Sequence, residues 1–118
     1  MDDKTLAALR TAADELLYPS ESDAPFEPFV WERVENTTAA VQRLAQLPRT
    51  TDCQQVSLDD FFGDLLEEKE FRSLRAAIES NLSQVKVYRC GSIKVMYLIV
   101  GTDSEGRLAG LKTNAVET

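Results

Sequence analysis

The sequence contains no histidine. Imidazole is the usual general base near neutral pH, the commonest zinc ligand and the central member of the Ser-His-Asp relay, so its absence removes those chemistries together. Cysteine is nearly absent: Cys53 and Cys90 stand far apart and form no Cys-x-x-Cys pair. They read either as a disulfide or as two small buried hydrophobes in a reducing compartment. No close spacing or secretory leader supports a bridge, so they are expected to be unpaired. Long apolar runs are missing too. The strongest, Val95 to Val100, is strand-sized and far short of the roughly 20 residues a membrane helix needs. The charged start Met1-Asp2-Asp3-Lys4 is unlike a signal peptide, so a cytoplasmic location and no membrane partner are expected. Positive charge is also scarce: 13 Lys and Arg against 20 Asp and Glu give a net charge of −7. Such a surface repels phosphate backbones, which argues against direct nucleic-acid binding. It suits a basic partner protein, although acidity also serves solubility alone.

What is present fits one ordinary globular domain over residues 1–118, 43% hydrophobic and 28% charged, a composition able to close its own core. Leu6, Leu9, Ala13, Leu16 and Leu17 recur at helical spacing and predict a helix from about Asp3 to Leu17, stopped by Pro19. The three prolines at 19, 25 and 28 make a stiff loop of the next segment. Phe29 to Glu32 reads as a strand. Asn36, Thr37 and Thr38 offer caps for a helix carrying Ala40, Val41, Leu44 and Leu47. Cys53 to Leu58 reads as a short strand and Leu58 to Phe62 as a helical turn closed by Gly63. A longer helix is predicted over 64–82, with Leu66, Phe71, Leu74, Ile78 and Leu82 on one face. Three strands then follow, about Val85–Cys90, Ile93–Gly101 and Arg107–Ala115, joined by Gly91-Ser92 and Asp103-Ser104-Glu105-Gly106.

The central strand of this meander decides the architecture. Ile93, Val95, Tyr97 and Ile99 share one face, while Met96, Leu98 and Val100 share the other with Lys94 the one polar residue. A strand apolar on both sides has to be covered on both sides. The predicted fold is therefore α+β, a three-layer α/β/α sandwich around a mainly antiparallel sheet.

The candidate chemistry is thin. Asp59, Asp60, Asp64, Glu67 and Glu68 form the densest acid cluster, and a hard cation favours such oxygens. They lack the offsets of an EF-hand, and acids at a helix start are also favoured by its dipole. No histidine activates Ser57, Ser73, Ser80 or Ser92, and Gly101 to Gly106 reads as a hairpin turn, with no helix after it to bind phosphate. No cofactor, catalytic residue or metal site of its own is expected.

Two segments point to binding. Pro19-Ser20-Glu21-Ser22-Asp23-Ala24-Pro25-Phe26-Glu27-Pro28 holds acids between prolines, so presenting them costs less ordering entropy. The segment Asn114 to Thr118 follows a strand directly and places Glu117 beside the Thr118 carboxylate, two hard oxygen ligands at one tip. The plainer readings are a solvated connection and a frayed end.

At these segments the sequence resembles the nuclease A inhibitor family of cyanobacteria and related bacteria. The resemblance is carried by Ser20-Glu21-Ser22, Pro25-Phe26-Glu27, Phe29, Trp31-Glu32, Asp60-Phe61-Phe62 and Ser80-Asn81-Leu82. It continues through Val87-Tyr88-Arg89, Ile93 to Gly101, Gly106, Leu108-Ala109-Gly110, Thr113 and Val116-Glu117-Thr118. It covers nearly the whole chain in order and implies a pathogenesis-related-type α/β/α sandwich. It also implies a function, inhibition of a metal-dependent, sugar-non-specific nuclease. In such an inhibitor the Thr118 carboxylate would approach the enzyme's metal and Glu21 would engage the enzyme, with Ser20, Ser22, Asp23 and Glu117 around them. The chain departs from the family pattern after Phe62, where Gly63-Asp64-Leu65-Leu66-Glu67-Glu68-Lys69 is short and carries no tryptophan. Two other functions stay open at this point: an interaction domain of the same fold with a non-nuclease partner, and a small metal-using hydrolase.

Overall fold

The computed structural model describes residues 4–19, 23–48 and 50–116. Helix α1 (Lys4–Ala13) is followed by two short strands, β1 (Leu17–Tyr18) and β2 (Ala24–Pro25), then β3 (Glu27–Val30) and helix α2 (Thr38–Leu44). Next come β4 (Cys53–Val56), α3 (Leu58–Phe62), a 3-10 helix (Gly63–Glu67) and α4 (Lys69–Asn81). The chain closes with β5 (Ser83–Cys90), β6 (Lys94–Thr102) and β7 (Leu108–Val116). The last three strands form the expected meander, and β3 and β4 add to its edges to give one antiparallel sheet of order β3-β7-β6-β5-β4.

The two-sided apolar pattern of β6 does what its alternation requires. Val95, Tyr97 and Ile99 join a core with Leu9 of α1, Phe61 and Phe62 of α3, and Phe71, Leu74 and Ile78 of α4. Leu98 and Val100, on the opposite face, join Phe29, Tyr88 and Leu108 beneath Val41 of α2. The sheet is thus sandwiched between α1, α3 and α4 on one face and α2 on the other, an α+β three-layer arrangement. Ile93, grouped with this strand by alternation, falls just before β6 and is 61% exposed.

Local chemistry sets several boundaries. Thr37 caps α2, its hydroxyl accepting from the Ala40 amide at 3.2 Å, and Ser57 caps α3 in the same way through the Asp60 amide at 3.0 Å. Several boundaries differ from expectation, and the loop expected from Pro19 to Pro28 holds β2 and the start of β3. Helix α1 stops at Ala13, four residues early, because Glu15 takes a left-handed φ of 64° and the chain turns so that Tyr18 can enter an aromatic cluster. The first sheet strand is Glu27–Val30, two residues upstream of the expected span. The helix expected over 64–82 is two elements. Gly63, at φ 45°, turns the chain into the 3-10 helix, from which Leu65 and Leu66 pack on the first core. Arg72 Nη1 then donates to the Leu66 carbonyl at 3.0 Å, binding the 3-10 turn to α4.

The cysteines correct the sequence reading. Cys53 and Cys90 are disulfide-bonded. The antiparallel pairing of β4 with β5 sets them directly opposite each other, with Cα atoms 4.0 Å apart, and the neighbouring Gly91 amide donates to the Asp52 carbonyl at 2.9 Å. Their separation of 37 residues along the chain said nothing of this, because strand register is not a property of sequence spacing. Trp31 is partly buried: it packs on the second core with its ring stacked 3.9 Å from that of Phe29.

Candidate functional site

Strands β1 and β2 pair antiparallel, Leu17 with Pro25 and Tyr18 with Ala24, as the two limbs of a small hairpin. Asp23, at the foot of its returning limb, is exposed. Ser20, Glu21 and Ser22, the tip expected to meet a partner, lie outside the described residues, as do Glu117 and Thr118. What the structure gives for these positions is their points of attachment.

Both attachments are built into the sheet. On the outgoing limb, the Tyr18 ring stacks on Phe61 at 5.2 Å and tilts against Tyr97 of β6 at 5.3 Å. Phe26, just beyond the returning limb, packs edge-on to Tyr18 at 6.3 Å and to Phe61 at 6.4 Å. On the returning limb, the Thr113 hydroxyl of β7 donates to the Ala24 carbonyl at 3.3 Å. Val116, from which Glu117 and Thr118 continue, is three residues beyond Thr113 on the same strand, a rise of about 10 Å. The limbs of the hairpin therefore stand toward the end of the sheet at which β7 finishes.

Two further connections belong to that end. Val116 pairs with Lys94, the first residue of β6, beside the β5–β6 turn that carries Ile93. Across the sheet, Gly91 bonds to Asp52 in the connection from α2 to β4. Together they border an open groove of about 770 Å³ whose lining includes Met96, Asn114, Val116 and Cys90. The sequence did not suggest this groove, because nothing local in it says that the α2–β4 connection, the β5–β6 turn and the end of β7 lie side by side.

The opposite end of the sheet is closed by its own side chains. Asp103 accepts from the amides of Glu105 and Arg107, each at 2.9 Å, and its carboxylate pairs with Arg107 at 2.8 Å. That turn is self-satisfied. The acid cluster of α3 is similarly engaged at its start: Asp59 pairs with Arg75 at 2.7 Å, and Arg75 also holds Glu79 at 2.9 Å. The hydrogen bond to Asp59, then that to Glu79, raises the Arg75 pKa above its ordinary value. Among the described residues, no group of three or more Asp, Glu and Cys side chains could hold a metal ion, and no helix is long and apolar enough to cross a membrane.

These features define a small acidic α+β domain that offers connecting segments at one end of an antiparallel sheet. The sequence takes the identification further. A family model described as nuclease A inhibitor-like protein matches residues 3–118, and the chain belongs to that family. A comparison with curated proteins returned no match.

Proposed function

We propose that this protein inhibits a metal-dependent, sugar-non-specific nuclease by placing the loop around Glu21 and the Thr118 carboxylate in the enzyme's active site. The observation that carries the reading is the family match over residues 3–118. The placing of the hairpin limbs toward the end of the sheet at which β7 finishes supports it, since two carboxylates delivered from one edge can enter one cleft. A carboxylate is a hard oxygen ligand and can take the place of a substrate phosphate at a divalent cation. Ser20, Ser22, Asp23 and Glu117 would line the contact, and the cation would belong to the enzyme. A basic active-site cleft, as needed to hold nucleic acid, complements a chain of net charge −7.

The test is a nuclease assay with wild type, a chain lacking Thr118, a chain extended by several residues and Glu21→Ala. Removing Thr118 leaves a carboxylate on Glu117, displaced by about one strand step of 3.3 Å, more than a metal bond tolerates. Loss of one partner from a buried charged contact costs about 2–5 kcal/mol, or roughly 30-fold to several thousand-fold in affinity. All three variants should fold as wild type and inhibit far less. Equal inhibition by all four proteins would rule out the metal-directed mechanism.

A further inference from the structure

Thr113 is out of place in its row. Along β7 it shares a face with Ala109, Leu111 and Ala115, all in the first core, and it is 1% exposed. Valine has nearly the same shape and carries no hydroxyl to desolvate, so packing alone would favour it. The hydroxyl has one hydrogen bond across the structure, to the carbonyl of Ala24, at the foot of the acidic loop. Directly opposite Thr113 in the β6–β7 register stands Tyr97, whose ring packs against Tyr18 at the foot of the other limb. A single cross-strand pair thus grips both limbs of the hairpin that carries Glu21, one by a ring contact and one by a hydrogen bond.

We infer that the Tyr97–Thr113 pair is a positioning clamp: it holds Tyr18 and Ala24, the two limbs from which the segment bearing Glu21 springs, against the strand pair that continues toward Thr118. The inference rests on the proposed inhibitory role of Glu21. Its physical content is preorganisation. A ligand group held in its bound geometry loses less conformational freedom on association than one on a free loop. Two groups that enter one cleft gain from a fixed separation as well. The gripping residues need not touch the enzyme: Thr113 and Tyr97 are both buried and would act through the loop.

The test compares Thr113→Val, which keeps the shape and removes the hydroxyl, with Thr113→Ser, which keeps the hydroxyl. Each is made alone and with Glu21→Ala. Two quantities are read: the melting temperature of the free protein, and the inhibition constant against a magnesium-dependent, sugar-non-specific nuclease that wild type inhibits. Thr113→Val should weaken inhibition about five- to tenfold, the worth of one hydrogen bond, while its melting temperature stays level or rises. A merely structural residue would move both quantities downward together. Thr113→Ser should inhibit as wild type. In the Glu21→Ala background, Thr113→Val should have no further effect, since the group it positions is gone. Wild-type inhibition by Thr113→Val, or a loss that simply adds to that of Glu21→Ala, overturns the clamp and leaves the inhibitory role standing. Undiminished inhibition by Glu21→Ala alone, or no nuclease inhibited by wild type, overturns the underlying role and the clamp with it.

Discussion

Asn36 ties the start of α2 to the sheet. Its side-chain amide donates to the carbonyls of Val100 at 3.1 Å and Gln84 at 3.0 Å, the latter lying where the β5 register shifts between Ser83 and Lys86 and Gln84 takes a φ of 51°. Lys86 Nζ donates to the Asn36 carbonyl at 2.8 Å, and the Tyr88 hydroxyl lies 3.0 Å from Asn36 Oδ1 and 3.1 Å from that carbonyl. A buried network of this kind stabilises only while every member is satisfied. Tyr88→Phe should therefore cost about 1–2 kcal/mol, measured by urea unfolding at pH 8. Burial also raises the Tyr88 pKa above its ordinary 10.0. The unfolded phenol ionises first as pH rises, so this contribution is complete below pH 10 and is lost above it. The stability gap between wild type and Tyr88→Phe should accordingly narrow from pH 10 upward; a gap independent of pH would contradict the assignment. Asn36 was legible in the sequence as a capping candidate, but the cap of α2 is Thr37, and the long-range partners of Asn36 lie 48 to 64 residues away, beyond any local signal.

At the scale of the element, strand β4 is one of two four-residue edge strands of the sheet, held by β5 on one side and by the disulfide. The bridge closes a segment that includes α3, the 3-10 helix, α4 and most of β5. Removing it frees that segment in the unfolded chain, at a cost of about 3–4 kcal/mol in the chain-entropy account. Cys53→Ser combined with Cys90→Ser should lower the melting temperature, and reductant should do the same to wild type while leaving the double variant unchanged. A wild-type melting temperature insensitive to reductant would show the cysteines unbridged in solution. The elements themselves were largely legible. The meander, α2 and α3 follow from alternation, caps and turn residues. Where the pattern misled, at 14–17 and 64–68, Leu16, Leu65 and Leu66 serve core packing without continuing an α-helix.

For the whole molecule, the net charge of −7 should act mainly on encounter. If the partner is a basic nuclease, the association rate should fall about tenfold or more between 50 mM and 500 mM salt, with the dissociation rate much less affected. Rapid-mixing kinetics would read both, and an association rate flat with salt would argue against a basic partner surface. The candidate site was legible at this scale only in part. The proline-bounded acids and the final residues stood out as segments, and the family resemblance gave Glu21 and Thr118 their proposed roles. That the hairpin limbs stand toward the end of the sheet at which β7 finishes became visible only with the hairpin and the β7 register in place.

The sequence by itself determined the layered α+β architecture, because a strand apolar on both faces, as β6 is, leaves few ways to exclude water from both. It also determined the acidic character, the lack of imidazole chemistry and the family. Tertiary structure alone decided the pairing of Cys53 with Cys90, the division of the expected long helix at Glu68 and the contacts of Tyr97 and Thr113 with Tyr18 and Ala24. Each of these depends on which residues of distant strands or helices stand opposite one another. Such register is fixed by the packing of the whole core, to which no single stretch of sequence has access.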